Sequence, residues 1–307
     1  MPGRSAVHAV AVHPAFDLEG LLAYLGVRAI PGVEAVTGAD DGRYGRTLQA
    51  GAHRGWVTMA RRGRAIGVEL SPSLEPALDL VLARVRRLLD LDADPGAVGA
   101  LLGGDAALAP LVARRPGLRL PGTMDRFELA VRAVLGQQVS VAGANTLAGR
   151  LVELVATRLP RRAGRPPRSL THLPIAAERL AAARPRAVAG IGIPRARAEC
   201  LVALARAVAD GGLPELAGDE PVPDPEGFIG RFTALPGIGP WTAGYVAMRA
   251  LGWRDAFPAG DLGLRKAMGG VTATRLRERA ERWRPWRAYA AQHLWASLAD
   301  AATGTVR

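Results

Sequence analysis

LPGIGPWTAGYVAMRAL, Leu235–Leu251, opens as a turn and continues as a helix. Gly237 and Gly239 permit positive φ and a close backbone approach, and Pro240 suits the first helical position, where its missing N–H costs nothing. With FIGRFTA just before it, the stretch predicts helix, tight hairpin, helix. The first turn of the second helix presents unpaired N–H groups and the positive end of a helix dipole, where a phosphate oxygen docks well. Trp241 and Tyr245, four apart, share one face of that helix. Twenty residues past Trp241 stands a lone acid, Asp261, in FPAGDLGLRK. Each feature alone has a plainer use. A Gly-x-Gly turn packs helices together, an aspartate at a loop–helix boundary caps the helix, and aromatics fill cores.

The surrounding chain is strongly basic. Its 307 residues carry 40 Lys and Arg against 28 Asp and Glu, a formal net charge of +12. All but one of the 40 are arginine, the exception being Lys266. Codon bias in a GC-rich genome accounts for arginine replacing lysine but not for the surplus over acids. That surplus favours a polyanionic partner, nucleic acid ahead of a ribosomal or membrane surface. Between Arg231 and Trp295 there are 11 basic and 4 acidic residues, together with five of the six tryptophans: Trp241, Trp253, Trp283, Trp286 and Trp295. Arginine interleaved with aromatics suits a surface that grips phosphates and stacks on bases, although a core seam uses tryptophan too.

One cysteine, Cys200, excludes an internal disulfide, a cysteine-based zinc site and a four-cysteine iron–sulfur cluster. It lies on the apolar side of the amphipathic stretch PRARAECLVALARAVADGG, as a buried, inert thiol would. No apolar run reaches the length of a membrane span, and residues 1–14 lack the basic start and apolar block of a signal peptide, so the expected compartment is the cytoplasm.

Outward from the hairpin, the chain divides in character. Up to residue 98 it is mixed α/β: HAVAVH alternates like a strand, and WVTMARRGRAIGVEL predicts a hairpin turning at Arg62-Gly63. DLEGLLAYLGVRA and LEPALDLVLARVRRLLDL carry apolar residues at helical spacing. From about residue 99 the chain is almost wholly helical. Asp125 and Glu128 open DRFELAVRAVLGQQVSVAGANTLAGRLVELVATRL as a capping box, and Gly136 and Gly143 are expected to divide it into two helices. PRRAGRPPRSL, residues 160–170, predicts a mobile, solvated loop, and EPVPDPEG is another breaker-rich connection.

These motifs carry a resemblance. LPGIGPWTAGYVAMRAL with an aspartate at this distance resembles the helix–hairpin–helix DNA glycosylase superfamily. GLRLPGTMDRFELAVRAVLGQQVS (Gly117–Ser140) and ERWRPWRAYAAQHLW (Glu281–Trp295) are similar to the bacterial 3-methyladenine-DNA glycosylase II family, the AlkA type, over about residues 8 to 300. The resemblance implies an α+β fold, with a small N-terminal antiparallel sheet-plus-helix domain and two all-helical domains flanking a DNA cleft. The expected bounds are 1–98, then 99–125 together with 254–307, and 126–253.

The resemblance puts the catalytic acid at Asp261, the pocket for an extruded base at Trp241, Tyr245, Trp295 and Gln137, and the wedge that fills the vacated duplex at Gln138. It puts the DNA backbone contacts at Gly237, Ile238, Gly239 and Thr242. The carbonyls of Thr233, Leu235 and Ile238 would hold a monovalent cation, Na or K; no other cofactor is implied. The implied partner is duplex DNA containing alkylated bases, with no membrane, and the implied state is a monomer. Gln138 replaces a leucine of the best-known family member, while Gly260 and Leu262 stand where an acid and an aromatic can occur.

Chemistry gives a lone acid a reason. Cleaving the N-glycosidic bond of an alkylated purine builds positive charge on the sugar, while the damaged base leaves neutral. A fixed carboxylate can stabilise that oxocarbenium-like state and orient or deprotonate water, and alkylation makes a general acid dispensable. Electron-rich aromatic faces favour a cationic purine by roughly 0.5–2 kcal/mol per contact. Extrusion is needed because C1′ cannot be attacked inside the stack. Two rivals remain. A bifunctional, strand-nicking glycosylase for oxidised bases needs a lysine amine, and Trp241 stands where those relatives place it. A non-enzymatic helix–hairpin–helix module would need no acid and no aromatic pocket. A methyl-accepting regulatory domain within the chain lacks its cysteines.

Overall fold

The computed structural model describes residues 6–37, 42–163 and 166–302. Five strands, β1 (Val7–Ala11), β2 (Glu34–Thr37), β3 (Arg43–Ala50), β4 (His53–Arg62) and β5 (Ala65–Leu70), form one antiparallel sheet in the order β1-β5-β4-β3-β2. Gly63, at φ +59°, makes the β4–β5 turn, one residue beyond Arg62 at the strand end. Alternation sends Tyr44, Leu48, Val57, Met59, Ile66 and Val68 into one buried cluster with helices α1 (Leu18–Gly26) and α2 (Leu78–Leu89). On the other face of the sheet, Trp56 packs with Ala163 and Leu170.

That second cluster corrects the expectation of a solvated 160–170 loop. Ala163 and Leu170 are buried, and the Trp56 indole N–H donates to the Ala163 carbonyl at 2.9 Å. Residues 164 and 165 of the loop lie outside the described residues.

The remaining helices are α3 (Pro95–Leu102), α4 (Ala109–Arg114), α5 (Arg126–Leu135), α6 (Val141–Val155), α7 (Ala177–Ala181), α8 (Pro185–Ala189) and α9 (Arg195–Ala209). They continue as α10 (Pro214–Ala217), α11 (Pro225–Thr233), α12 (Pro240–Ala250), α13 (Leu262–Ala267), α14 (Ala273–Ala280) and α15 (Arg287–Ala302). The expected boundary at residue 98 falls inside α3. That helix begins with Asp94, whose carboxylate accepts from the Gly96 and Ala97 N–H groups, and its Val98 and Leu102 join the helical core. Nor do the helices keep two separate cores. Leu102, Leu129, Val246, Leu264 and Leu294 belong to one continuous buried cluster, and the cleft opens at its surface.

The break between α5 and α6 is the loop Gly136–Ser140. Gly143 lies inside α6, in the first turn, where its N–H is capped by the Ser140 hydroxyl at 3.1 Å. Asp125 caps α5 through the Glu128 N–H at 2.8 Å, as the capping box predicts. The Glu128 side chain turns elsewhere, accepting from buried Arg46 of β3 at 2.7 Å. Arg46 also meets Glu34 at 3.3 Å, and Glu34 accepts from Tyr44 and from the Ile30 N–H. Burial would raise the Glu34 carboxyl, but Arg46, Arg132 and the Tyr44 hydroxyl outweigh it and hold it below its usual range. This buried network locks the sheet, and α1 with it, onto α5. Among the described residues no helix is long and apolar enough to cross a membrane.

Candidate active site

The hairpin forms as its glycines require. Gly237 adopts φ +85°, and a β-carbon there would lie 3.2 Å from Cβ and Sγ of Cys200 on α9. The turn closes with the Ile238 N–H on the Leu235 carbonyl at 3.2 Å, and α12 makes its first backbone bond from the Ala243 N–H to the Gly239 carbonyl. Cys200 is buried, and burial pushes its thiol up to about 11, as an inert packing residue should be.

Eleven residues after α12, Asp261 opens α13. Its Oδ1 caps the helix through the Leu264 N–H at 2.9 Å and accepts the Trp295 indole N–H at 3.0 Å. Its Oδ2 accepts the Trp241 indole N–H at 2.8 Å. The acid therefore caps its helix and also stands on a cleft. That cleft, of about 430 Å³, is lined by Trp241, Tyr245, Asp261 and Trp295 with Leu129, Ala133, Val139 and Leu298. The Trp241 and Tyr245 rings stack with centroids 5.4 Å apart and planes 9° apart, and Trp295 meets Tyr245 edge-on at 6.4 Å. Both acid oxygens are thus held by donors from three elements, which fixes the carboxylate plane against the aromatic wall.

Two expected placements are corrected. Gln137 does not line the cleft: its amide donates to the Gly237 carbonyl and to the Thr242 hydroxyl, each at 3.0 Å, bracing the α5–α6 loop against the hairpin. Thr242, expected at the DNA backbone, is buried, and its hydroxyl is taken by that brace. The Ile238 side chain is buried as well, leaving only its backbone for a ligand, while Gly237 is exposed and Gly239 partly so. Gln138 is exposed beside the cleft in the left-handed region, at φ +57°, on the loop that also supplies Val139 and Ser140 to the cleft wall. Leu262, next to Asp261, is exposed. Of the other tryptophans in the basic window, Trp283 is core and donates to Asp105 at 2.9 Å.

Among the cleft residues that sequence reasoning missed are one tyrosine and three arginines: Tyr24 from α1, Arg28 just after it, Arg132 from α5 and Arg249 from α12. The Arg249 guanidinium donates through one nitrogen to the hydroxyls of Tyr24, at 2.6 Å, and Tyr245, at 2.8 Å, and the two hydroxyls lie 3.3 Å apart. Its other nitrogens reach the carbonyls of Pro121 and Gly122. Arg28 lies 3.8 Å over the Tyr24 ring. Burial would push the Tyr245 hydroxyl up, but Arg249, then Arg28 and the Tyr24 hydroxyl, pull it down to about 8. A signal for Arg249 was present: it follows Trp241 and Tyr245 at the same four-residue step, amid the apolar Val246, Ala247 and Met248.

Residues 8–125 match the AlkA N-terminal domain, and residues 131–286 match the HhH-GPD superfamily base excision DNA repair protein. The chain is 40% identical over 287 residues to the DNA-3-methyladenine glycosylase 2 of Escherichia coli, covering 92% of this chain and 94% of that protein. It is 44% identical over 293 residues to a probable bifunctional transcriptional activator/DNA repair enzyme AlkA of Mycobacterium tuberculosis. That match covers 94% of this chain, which thus spans 56% of the relative's length. Among solved structures, a 3-methyladenine DNA-glycosylase from Archaeoglobus fulgidus shares the fold at a TM-score of 0.78, with 23% identity over 94% of this chain and 97% of that one.

Proposed function

The chain belongs to the HhH-GPD superfamily of base excision DNA repair proteins, with an AlkA N-terminal domain, and on that premise we propose that it is a monofunctional DNA glycosylase for alkylated purines. Its substrates would be 3-methyladenine and 3-methylguanine, with 7-methylguanine and hypoxanthine beside them, in duplex DNA. One observation carries the reading: the Asp261 carboxylate, held by two indole N–H groups, faces an aromatic cleft wide enough for a flipped base.

In this reading the extruded base lies against Trp241, Tyr245 and Trp295, with its sugar at Asp261. With an alkylated purine the C1′–N bond breaks with its electron pair leaving on the base nitrogen, which cancels the charge alkylation placed on the base; hypoxanthine leaves as an anion that takes a proton from solvent. Asp261 stabilises the electron-poor sugar, and water adds to C1′ with its proton passing to the carboxylate. The product is an abasic site. Because both indoles donate to the acid, its oxygens stay aimed at the sugar without rearranging during the reaction.

Gln138 would enter the gap left by the base, where an amide both fills space and hydrogen-bonds the orphaned partner. The exposed backbone at Gly237 and Gly239, and the first N–H groups of α12, would take a DNA phosphate. A monovalent cation, Na or K, would sit on the carbonyls of Thr233, Leu235 and Ile238. The Leu235–Ile238 turn brings two of these to one hairpin end, and neutral carbonyl oxygens suit a singly charged ion. The protein would act as a monomer in the cytoplasm.

The strand-nicking alternative is not favoured. Trp241 donates to Asp261 from the position that chemistry needs for a lysine, and Lys266 is not among the residues lining the cleft. Incubation with methylated DNA, followed by chromatography of the released bases, tests the proposal. Release of 3-methylpurines without a borohydride-trapped adduct is expected; release of none would end it.

A further inference from the structure

At the end of the cleft away from Asp261, the hydrogen atoms can be counted. Trp241, Tyr245 and Arg249 follow one face of α12 at four-residue steps, so Arg249 stands about 12 Å along the helix from Trp241. There one guanidinium nitrogen, with its two hydrogens, donates to both phenol oxygens. The two hydroxyls have two hydrogens between them. One spans the 3.3 Å to the neighbouring oxygen, and no other acceptor for either hydroxyl occurs among the described residues. One phenolic hydrogen is left over, beside open cleft, and the adjacent arginine makes it a stronger donor.

We infer that this Tyr24–Tyr245–Arg249 cluster is a hydrogen-bond donor that selects purines carrying a carbonyl at position 6, alkylated guanines and hypoxanthine, over those carrying an amino group there. The inference rests on the reading of the cleft as a base pocket and goes further, to which base it prefers. With the sugar at Asp261, the purine edge bearing positions 1 and 6 is the one farthest from the glycosidic nitrogen, and so it meets the cluster. A carbonyl oxygen there accepts the spare hydrogen. An amino group presents its own hydrogens to a donor backed by positive charge. Arg28 and Arg132, which also line the cleft, add to the same bias. Tyr24 comes from the AlkA N-terminal domain, so that domain would take part in choosing the base.

The test uses two bases that differ at position 6; the 2-amino group that guanine alone carries is the same in every protein tested, so the change of ratio on mutation is what is read. DNA methylated with dimethyl sulfate releases 3-methylguanine and 3-methyladenine, and the ratio of their initial excision rates is compared between wild type and variants. Removing both hydroxyls alone would free the two Arg249 hydrogens they accept, so the Tyr24→Phe/Tyr245→Phe/Arg249→Met triple variant is used: it has no spare donor there and is expected to lower the ratio about three- to tenfold, the worth of one hydrogen bond. Each single variant keeps one hydroxyl, with its hydrogen freed, and should hold the ratio within about twofold. An unchanged ratio in the triple variant overturns the inference, as does a full drop in Tyr24→Phe alone. Wild-type protein that releases neither base removes instead the glycosylase reading beneath it. A second measurement needs no variant. Titrated against the protein's tryptophan fluorescence, to which Trp241 and Trp295 of the cleft contribute, free hypoxanthine should bind at least about threefold more tightly than free adenine, and equal or reversed affinities count against the cluster.

Discussion

Trp295, thirty-four residues beyond Asp261 in the chain, donates its indole N–H to that carboxylate at 3.0 Å, while Trp241, twenty residues before it, donates to the other oxygen at 2.8 Å. An acid that only capped α13 would need the Leu264 N–H alone. The two indoles give it a fixed plane and a charge-assisted environment on the cleft wall, and the first prediction concerns the acid itself. Asp261→Asn keeps the shape and still caps α13 through its amide oxygen, but it loses the negative charge. Single-turnover release of 3-methyladenine should fall at least about a hundredfold, with affinity for undamaged duplex DNA within about twofold. Release at the wild-type rate would take Asp261 out of the mechanism.

The indoles can be separated from their rings. Trp241→Phe and Trp295→Phe each keep an aromatic wall and remove one donor to the carboxylate. A hydrogen bond to a charged group is worth about 1.5–3 kcal/mol, so each change should slow base release by roughly tenfold or more. Because the two act on one carboxylate, the double variant should lose less than the product of the two. Single-turnover rates for the four proteins decide this. Multiplicative losses would mean that the rings act separately on the base.

Gln137 offers a contrast between binding and chemistry. Its two hydrogen bonds join the loop carrying Gln138 to the hairpin at Gly237 and Thr242. Gln137→Ala should cost about 1–2 kcal/mol of stability in denaturant titrations. It should weaken duplex binding about fivefold while leaving base release at saturating DNA within about threefold. The opposite pattern, intact binding with slow release, would restore Gln137 to the base pocket where the resemblance had placed it.

What could be read from sequence follows the range of each interaction. The hairpin, the capping box and the sheet are local patterns, and they are where the sequence places them, Gly63 at the β4–β5 turn included. The place of Asp261 on the cleft was legible as well, and the same carboxylate also caps α13. Gln137 was misplaced because adjacent residues of an irregular loop point in different directions. A positive φ at Gln138 turns one of the pair outward, and no periodicity predicts that. Tyr24 and Arg46 were invisible for a different reason. Each acts across more than 80 residues of chain, Tyr24 on Tyr245 and Arg46 on Glu128, and their local patterns say only amphipathic helix and strand. The boundary at residue 98 missed because α3 turns its apolar face to the helical core, and composition does not record the direction of a face.

The last prediction concerns His293, on the same helix as Trp295. It is buried, its Nδ1 has no partner among the described residues, and burial, with Arg115 adding to it, holds the imidazole down to about 4. The unfolded chain binds this proton near the ordinary value of about 6.5. Between those values the unfolded state carries more protons than the folded one. Stability from neutral His293 is therefore complete above pH 6.5 and is lost as the pH falls towards 4, by at most about 3 kcal/mol. His293→Phe fills the space with no titrating group, so its stability should fall less steeply than that of wild type between pH 7 and 4.5. Urea midpoints of the two proteins across that range measure the difference. Parallel curves would show that the imidazole titrates alike in both states.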